Sequence, residues 1–391
     1  GRLRLRYNVR VAVGGGGDLV MPFEKGFMRE SRPVGWQVVS GGRVPVEVSF
    51  RSLGEREIGF QVESYDPKLP LVIDPVLSWH TYMGSAEQDY AQAVAVDDSG
   101  NVYVTGWSDA TWGAPINPFA GDRDAFLAKL NPSGELLWHT FIGSSDSDQA
   151  WNIAVDSSGY VYVTGTSNSP WGVPVDFNQD GGAFAAKFAG NGVRQWHTFL
   201  GLNNGRAIAV DANGTVHVAG WGGGPSWDTP PVYPWRGTDG WVAKLNSSGS
   251  RQWYTFMGSL DFDSILNIAV DENSHVYVAG RSLASWGNPV NAYTGGSDVF
   301  VAKLNSNGER LWHTFMGSAG YDHGHGIAVD TNRNVYVSGS SEAPWGAPIN
   351  PWVNTVPGGL EGFAAKLDPD GIRQWHTFLG SEGVGMGWGL A

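Results

Sequence analysis

A six-residue signature that recurs along the chain limits its possible folds more than any other feature. The signature starts with Trp, has Thr at its third position and Phe or Tyr at its fourth, and ends with Gly. Its six copies start at Trp79, Trp138, Trp196, Trp253, Trp312 and Trp375. Successive copies lie about 60 residues apart, and a steady period of this kind indicates that each copy is one unit of a repeat architecture.

Each period contains four short segments of β-forming composition bounded by turn residues. In the first complete copy these segments are 93–97, 101–106, 124–130 and 136–143, which we call strands A, B, C and D. The A–B and C–D connections are tight turns such as Asp97–Gly100, in which the Asp side chain caps the turn and Gly supplies a positive φ. The pattern predicts an all-β propeller of four-stranded antiparallel blades, with the long B–C and D–A connections at one end.

The repeat also predicts where the domains begin and end. A small, partial N-terminal β-rich domain is expected at 1–75, and the propeller repeats at 76–391. Within the repeats we expect a lone D strand at 77–84, blades at about 85–143, 144–201, 202–258, 259–317 and 318–380, and the start of a further blade at 381–391. In a propeller a lone D strand completes the last blade of the ring. We therefore expect five full blades plus the start of a sixth, in a sequence that is a fragment of a larger ring.

The repeats resemble a bacterial β-propeller repeat family named for seven-bladed propellers (SBBP). The resemblance is carried by the signature, by Ala-Val-Ala-Val-Asp-x-x-Gly-Asn-Val-Tyr-Val-Thr-Gly at 93–106 and by Asp-Ala-Phe-Leu-Ala-Lys-Leu-Asn-x-x-Gly at 124–134. Residues 1–75 are similar to the uncharacterised β-rich region that commonly precedes such repeats. The resemblance implies a secreted or cell-surface bacterial protein and brings no catalytic residues with it. The chain departs from the family in its B–C loops, which carry Trp-Gly-x-Pro.

Composition excludes several classes of function. The formal net charge is −13, and all of the negative excess falls after residue 75, so the repeats are not expected to bind nucleic acid. The chain has no Cys, which excludes disulfides, thiolate metal sites and a Cys nucleophile. No run of about 18 apolar residues predicts a membrane span, and no signal peptide is visible in this sequence.

The tryptophans of the B–C loops are the candidate ligand-face residues. Four of them stand in Trp-Gly-x-Pro and one in the variant Trp-Asp-Thr-Pro: Trp112, Trp171, Trp286 and Trp345, and Trp227. Indoles on long loops at an open face can stack on sugar rings or grip a peptide. The alternative is that each ring folds back against its own blade, as its repetition in every blade suggests.

Two further sets of side chains suggest metal binding. Four Asp residues stand five residues after a signature Gly, where carboxylates and carbonyl groups could hold Ca²⁺: Asp89, Asp148, Asp263 and Asp322. No calcium-loop motif surrounds them, and the alternative is that each Asp caps the turn into strand A. His323 and His325 form the only close histidine pair, without an evident third ligand.

These observations predict a non-catalytic extracellular module that binds a glycan or protein partner at the long-loop face, or that spaces other domains at the cell surface. We expect it to be monomeric, to use no cofactor and not to be an enzyme. The alternative is a polysaccharide-acting hydrolase or lyase with its site over the propeller channel. Such a site would need unusual polar residues from several blades, and the irregular third blade and the blade of His323 and His325 are the places to expect them.

Overall fold

A computed structural model describes residues 4–6, 10–14, 19–23, 26–30, 32–39, 42–74, 81–176, 181–201, 204–224, 230–354, 356 and 358–380. The chain forms two compact units, Gly1–Tyr82 and Met83–Ala391. The described residues form strands and turns, and none of them forms a helix that could cross a membrane. Half of the predicted lone D strand (77–80) and all of the predicted start of a sixth blade lie outside the described residues, and residues 81–84 form no strand.

The first unit consists of three small antiparallel sheets. Its strands are β1 (Arg4–Arg6), β2 (Ala12–Val13), β3 (Leu19–Phe23), β4 (Gly26–Glu30), β5 (Val34–Val39), β6 (Gly42–Val46), β7 (Val48–Gly54), β8 (Glu57–Val62) and β9 (Leu71–Asp74). The strand orders are β1-β8-β7, β2-β3-β4 and β6-β5-β9. A small apolar core gathers Leu19, Met21, Phe50 and Ile58.

The second unit consists of five four-stranded antiparallel sheets, each with its strands in chain order. The A strands are β10 (Asp89–Val96), β14 (Asp148–Val155), β18 (Asn204–Val210), β22 (Asp263–Val270) and β26 (Asp322–Val329). The B strands are β11 (Val102–Ser108), β15 (Val161–Ser167), β19 (Val216–Gly222), β23 (Val276–Ser282) and β27 (Val335–Ser341). The C strands are β12 (Asp124–Leu130), β16 (Gly182–Phe188), β20 (Asp239–Leu245), β24 (Asp298–Leu304) and β28 (Glu361–Leu367). The D strands are β13 (Leu136–Ile142), β17 (Arg194–Phe199), β21 (Arg251–Met257), β25 (Arg310–Met316) and β29 (Arg373–Phe378). The predicted all-β fold of four-stranded blades is confirmed.

Strand A begins earlier than the sequence pattern predicts. In the first blade it starts at Asp89 rather than at residue 93, and its register against β11 shifts between Ala91 and Ala93. The extra residue, Gln92, is a β-bulge, and it breaks the alternation of side chains that reveals a strand in a sequence. The opposing Gly106 accommodates the bulge, because a Cβ on it would lie 1.8 Å from the carbonyl oxygen of Tyr90.

The apolar core lies between successive sheets. A strands of neighbouring blades lie against one another, which places them innermost, at the propeller axis. An A strand is buried where the preceding sheet covers it. Ile153 in β14 is 7% exposed, whereas the equivalent Val94 in β10 is 64% exposed. Within the described residues no preceding sheet covers β10. Blade stacking therefore supplies most of the apolar burial that stabilises the unit.

The signature Trp links each blade to the next. In four blades its indole N–H donates to a carbonyl oxygen in the C–D turn of the following blade: Trp138 to Gly190, Trp196 to Ser247, Trp253 to Ser306 and Trp312 to Pro369. A glycine of the same turn packs on the indole. At Gly308, for example, φ is 82° and a Cβ would lie 2.8 Å from the Trp253 ring. The indole of one repeat thus requires the glycine of the next.

Replacing Trp253 by Phe tests this link. The variant loses the 2.9 Å hydrogen bond to the Ser306 carbonyl and part of the indole packing, so we expect the free energy of unfolding to fall by about 1–3 kcal/mol. Trp375→Phe is the matched control, because the described residues contain no following blade for Trp375 to bond. Equal shifts of the urea midpoint in the two variants would contradict the proposed link.

Candidate functional site

The candidate ligand-face tryptophans are buried against their own blades. Trp112, Trp171, Trp286 and Trp345 are 6–8% exposed. Each ring stacks on the His of strand D in its own blade, for example Trp112 on His139 with ring centroids 3.8 Å apart. The same His donates its Nε2–H to the carbonyl oxygen of that Trp, at 2.7 Å for His139. Trp227 lies outside the described residues.

The B–C loop that carries each tryptophan runs along the outer edge of the sheet. Backbone N–H groups of the loop donate to strand D, as from Ile116 to the carbonyl of His139 at 2.9 Å. Asn117 donates its side-chain N–H to Thr140 Oγ1 at 2.8 Å. An edge strand that is covered in this way is protected from pairing with another chain. The geometry therefore favours the alternative in which these four indoles stabilise their own blades, and a ligand could stack on them only after they left these positions.

The buried Trp–His stack makes a prediction about pH. Burial lowers the pKa of His313 to about 4, and the nearby charge of Arg310 adds to the effect. Because this pKa lies below that of an unfolded histidine, about 6.5, the neutral ring contributes stability above pH 6.5 that is lost as the pH falls through 4. In His313→Gln, an amide N–H can still donate to the Trp286 carbonyl, but the side chain does not titrate. We expect the stability of the wild type relative to this variant to fall by up to about 3 kcal/mol between those pH values.

Urea unfolding of the two proteins across this pH range measures the difference. An unchanged difference between them would show that His313 is not held neutral by the fold.

The Asp residues considered for Ca²⁺ begin the A strands instead of lying in loops. Asp263 is buried, and its Oδ2 accepts hydrogen bonds from the backbone N–H and hydroxyl of Ser259 at 2.7 and 2.9 Å. Its Oδ1 bonds the hydroxyl of Ser282. Asp322 repeats this pattern with Ser318 and Ser341. These Asp side chains therefore connect the start of strand A to the end of strand B.

Each of three blade junctions brings such an Asp close to the Asp that begins strand C of the preceding blade. The pairs are Asp124 with Asp148, Asp239 with Asp263, and Asp298 with Asp322. At the first junction, one oxygen of each carboxyl lies 2.8 Å from where a Cβ on the signature Gly143 would be. Burial, helped by the neighbouring carboxylate, raises the pKa of Asp298 to about 6.

The junction between the second and third blades lacks both carboxylates, since Gly182 and Asn203 hold the two positions in the sequence. The fifth blade has Glu361 at the strand-C position, and this carboxylate instead accepts three backbone N–H bonds, from Val353, Asn354 and Gly380. Two carboxylates provide fewer than the roughly six to eight oxygen ligands that Ca²⁺ takes. The described residues contain no group of three or more His, Asp or Glu placed to hold a metal ion. Calcium binding at Asp89, Asp148, Asp263 and Asp322 stays a prediction.

The carboxyl pairs should oppose folding at neutral pH. Since the pKa of Asp298 is raised to about 6, from 3.8, its ionisation costs stability once the pH rises through 6. Asp298→Asn keeps an oxygen to accept the Thr294 N–H and adds an N–H that can donate to Asp322. We expect this variant to be more stable than the wild type by up to about 3 kcal/mol at about pH 8, with no gain near pH 4.

Glu361→Gln is the matched control for this prediction. In this variant an amide NH2 group replaces one carboxylate oxygen and cannot accept a hydrogen bond from a backbone N–H. We therefore expect its free energy of unfolding to fall by about 1–3 kcal/mol. Thermal unfolding at both pH values measures both changes. A loss of stability in Asp298→Asn at pH 8 would contradict the proposed repulsion.

One set of positions differs from blade to blade, whereas the signature positions repeat. These are the β-bulges of the five A strands, occupied by Gln92, Trp151, Arg206, Leu266 and His325. Because A strands are innermost, the bulges lie close to the axis. They stand near the end where strand A starts and strand B finishes, which is also the end that carries the long connections.

Near the bulges lie five side chains, in two contact groups, that we together call the axial site: Trp151 with Arg206, and Arg281 with His323 and His325. The guanidinium carbon of Arg206 lies 4.0 Å from the centre of the Trp151 ring. Arg281, near the end of β23, places Nη1 3.2 Å from Nε2 of His323. The His323 and His325 rings are 6.0 Å apart, and His325 Nε2 lies 3.2 Å from the hydroxyl of Ser340.

The axial site is positively charged. A guanidinium can only donate, so Nε2 of His323 accepts from Arg281 and the ring proton is on Nδ1. Burial and the charge of Arg281 lower the pKa of His323 to about 4. Burial, together with the charges of Arg281 and Arg206, also lowers the pKa of His325. Among the described residues, no carboxylate forms a salt bridge with Arg206 or Arg281.

Sequence reasoning found only part of this site. It singled out His323 and His325, but as a metal pair, and it did not identify Trp151, Arg206 or Arg281. A usable signal was present: aligning the repeats shows that the residue at the bulge position changes in every blade. What the sequence hides is that Arg281, on strand B of one blade, reaches His323 on strand A of the next.

Successive antiparallel sheets with their first strands at an axis define a β-propeller repeat protein. A family model described as a beta-propeller repeat (SBBP) matches residues 78–111, 137–170 and 311–344. A second model, described as a domain of unknown function (DUF7948), matches residues 2–76. The chain therefore carries SBBP β-propeller repeats preceded by a DUF7948 domain, as the resemblance of the sequence predicted.

Two curated proteins are similar over parts of their length. An uncharacterised WD repeat-containing protein of Acanthamoeba polyphaga mimivirus is 21% identical over 413 residues, which covers 78% of this chain and 29% of that protein. The regulatory protein FlaEY of Caulobacter vibrioides is 27% identical over 250 residues, covering 56% of this chain and 26% of FlaEY. The chain thus spans less than a third of the length of either relative.

Solved structures that are similar to the chain include a hydrazine synthase of Kuenenia stuttgartiensis, with a TM-score of 0.42 and 8% identity, covering 74% of this chain and 65% of that one. The Dos1 propeller has a TM-score of 0.36 and 9% identity, covering 75% of this chain and 61% of that one.

Proposed function

We propose that this chain is a non-catalytic binding module that acts outside the bacterial cell, through the axial site and the long connections around it. One observation carries the proposal. Side chains that repeat in every blade bond within the blade or to the next one, whereas the bulge positions near the axis differ in every blade. A repeated side chain serves the repeated structure, so the residues that depart from the repeat are those open to a specific ligand.

The chemistry of the axial site supports binding over catalysis. Glycoside hydrolysis generally uses two carboxyl groups that flank the scissile bond, and the axial site as defined contains none. The buried carboxyl pairs at the blade junctions already accept serine or backbone hydrogen bonds. A lyase needs a base to remove a proton. Nε2 of His323 already accepts from Arg281, and its Nδ1 carries the ring proton, so this imidazole has no free lone pair for that role.

The location and partners belong to the same proposal. An extracellular or cell-surface setting is supported by the family resemblance, and the absence of Cys in the sequence is compatible with it. The acidic net charge argues against nucleic acid as a partner. A glycan or a protein partner fits an exposed end with long connections, and the proposed module works as a monomer without a cofactor.

Binding and turnover can be measured on the same preparation. The purified chain is applied to a glycan array that includes neutral and acidic bacterial surface glycans, and is then incubated with the polysaccharides that it retains. We expect retention of at least one glycan class with no release of reducing ends and no formation of unsaturated sugars. Release of either product would instead establish the alternative, a hydrolase or lyase with its site over the axis. Light scattering of the same sample checks the expected monomer.

A further inference from the structure

The two arginines of the axial site pack against aromatic rings and leave most of their N–H groups without an acceptor among the described residues. The guanidinium carbon of Arg206 lies 4.0 Å from the centre of the Trp151 ring, and within the described residues Arg206 makes no hydrogen bond or ion pair. Cation–π contact uses the face of the guanidinium plane. Its five N–H donors point outward from the edges of that plane, where they remain available.

Arg281 repeats this arrangement one blade further on. Its guanidinium carbon lies 5.0 Å from the centre of the Phe262 ring, and one N–H donates to His323. Phe262 packs in turn against Trp221, with ring centroids 5.3 Å apart. The remaining N–H groups of Arg281 have no acceptor among the described residues. Aromatic rings and a hydrogen-bonded imidazole thus fix both guanidinium groups without neutralising either of them.

The positive charge at this site is costly and lacks a counter-charge. Both arginines are partly buried, and burial lowers the pKa of each. A partly desolvated cation without a carboxylate partner raises the free energy of the fold, and an anion placed beside it would offset that cost. The whole sequence carries a formal net charge of −13, so this pair of arginines is a local positive charge on an acidic protein.

We propose that the axial site binds an oxyanion, with Arg206 and Arg281 as its donors, carried by an acidic glycan. This inference rests on the binding function proposed above and names the ligand class for that site. Guanidinium edges match the two oxygens of a carboxylate or sulfate in bidentate geometry. The indole of Trp151 beside Arg206, and that of Trp221 beside Phe262, offer the apolar ring surface on which sugar rings pack. His323 holds Arg281 in place and acts as a positioning residue.

Calorimetry on the whole chain at low ionic strength tests the proposal. The probes are a uronate trisaccharide, a neutral trisaccharide of the same length, and inorganic sulfate. We expect the uronate to bind about tenfold or more tightly than the neutral sugar, and to weaken as salt is raised. Sulfate that competes with the uronate shows that the oxyanion itself is recognised. Sulfate that fails to compete shows that the sugar-borne carboxylate is required, and both results support the site.

The variants Arg206→Gln and Arg281→Gln should each lose about tenfold in affinity for the uronate. Arg373→Gln is the matched control. The guanidinium carbon of Arg373 also lies near an indole, 5.1 Å from the centre of the Trp345 ring, but this tryptophan belongs to a B–C loop and not to the axial site. Its affinity should stay within about twofold of the wild type. Thermal unfolding confirms that each variant is folded.

Two results would overturn the inference. One is equal affinity for the acidic and the neutral trisaccharide, and the other is an equal loss in all three arginine variants. If the glycan array shows retention that Arg206→Gln and Arg281→Gln leave unchanged, the proposed binding function stands and the assignment of its ligand to the axial site fails. If the array shows turnover, the proposed function itself fails.

Discussion

The face-to-face packing of successive sheets is the interaction on which the rest of the propeller unit depends. An isolated four-stranded sheet of this composition would expose apolar side chains on both faces. Val94 shows this at the uncovered end of the stack, while the equivalent Ile153 is buried by its neighbours. In four blades the indole of the signature Trp then fixes the spacing and register of the stack by bonding a turn carbonyl of the next blade. Stability therefore belongs to pairs of blades, as in other repeat proteins.

The outer edge of each blade raises a second problem, which the Trp-Gly-x-Pro loops solve. Strand D has no further strand beside it, and its unpaired backbone N–H and C=O groups could pair with a strand of another chain. The loop from strand B returns along this edge and bonds it, and the Trp–His stack holds the loop in place. Gly113, with φ at 58°, lets the chain turn directly above His139. Tryptophans that look like a ligand face in the sequence are thus part of the protection of the edge.

Two groups of charged side chains, of opposite sign, bear on where a ligand can bind. The paired aspartates are buried and close to one another, so their ionisation lowers the stability of the fold. Such pairs occur at three blade junctions and are absent from the fourth, where Gly182 and Asn203 hold the two positions. The arginines near the axis are partly exposed and have no carboxylate partner among the described residues. Charge that is buried between blades cannot reach a ligand, whereas charge beside the axis can. This difference in access is why the axial site, and not the acidic junctions, is the place proposed for binding.

The sequence by itself determined the repeat, the strand order and most strand boundaries, because these depend on local patterns of apolar, turn and glycine residues. The predicted strand C at 124–130 agrees with the structure, and the predicted strand D at 136–143 ends one residue late. The start of strand A was missed, since a bulge at Gln92 interrupts the alternation on which such predictions rely. Only the tertiary structure decided that the loop indoles turn inward, that carboxyl groups of neighbouring blades meet, and that Arg281 of one blade reaches His323 of the next. Those outcomes depend on contacts between residues of different strands or blades, many positions apart, and no local pattern specifies them.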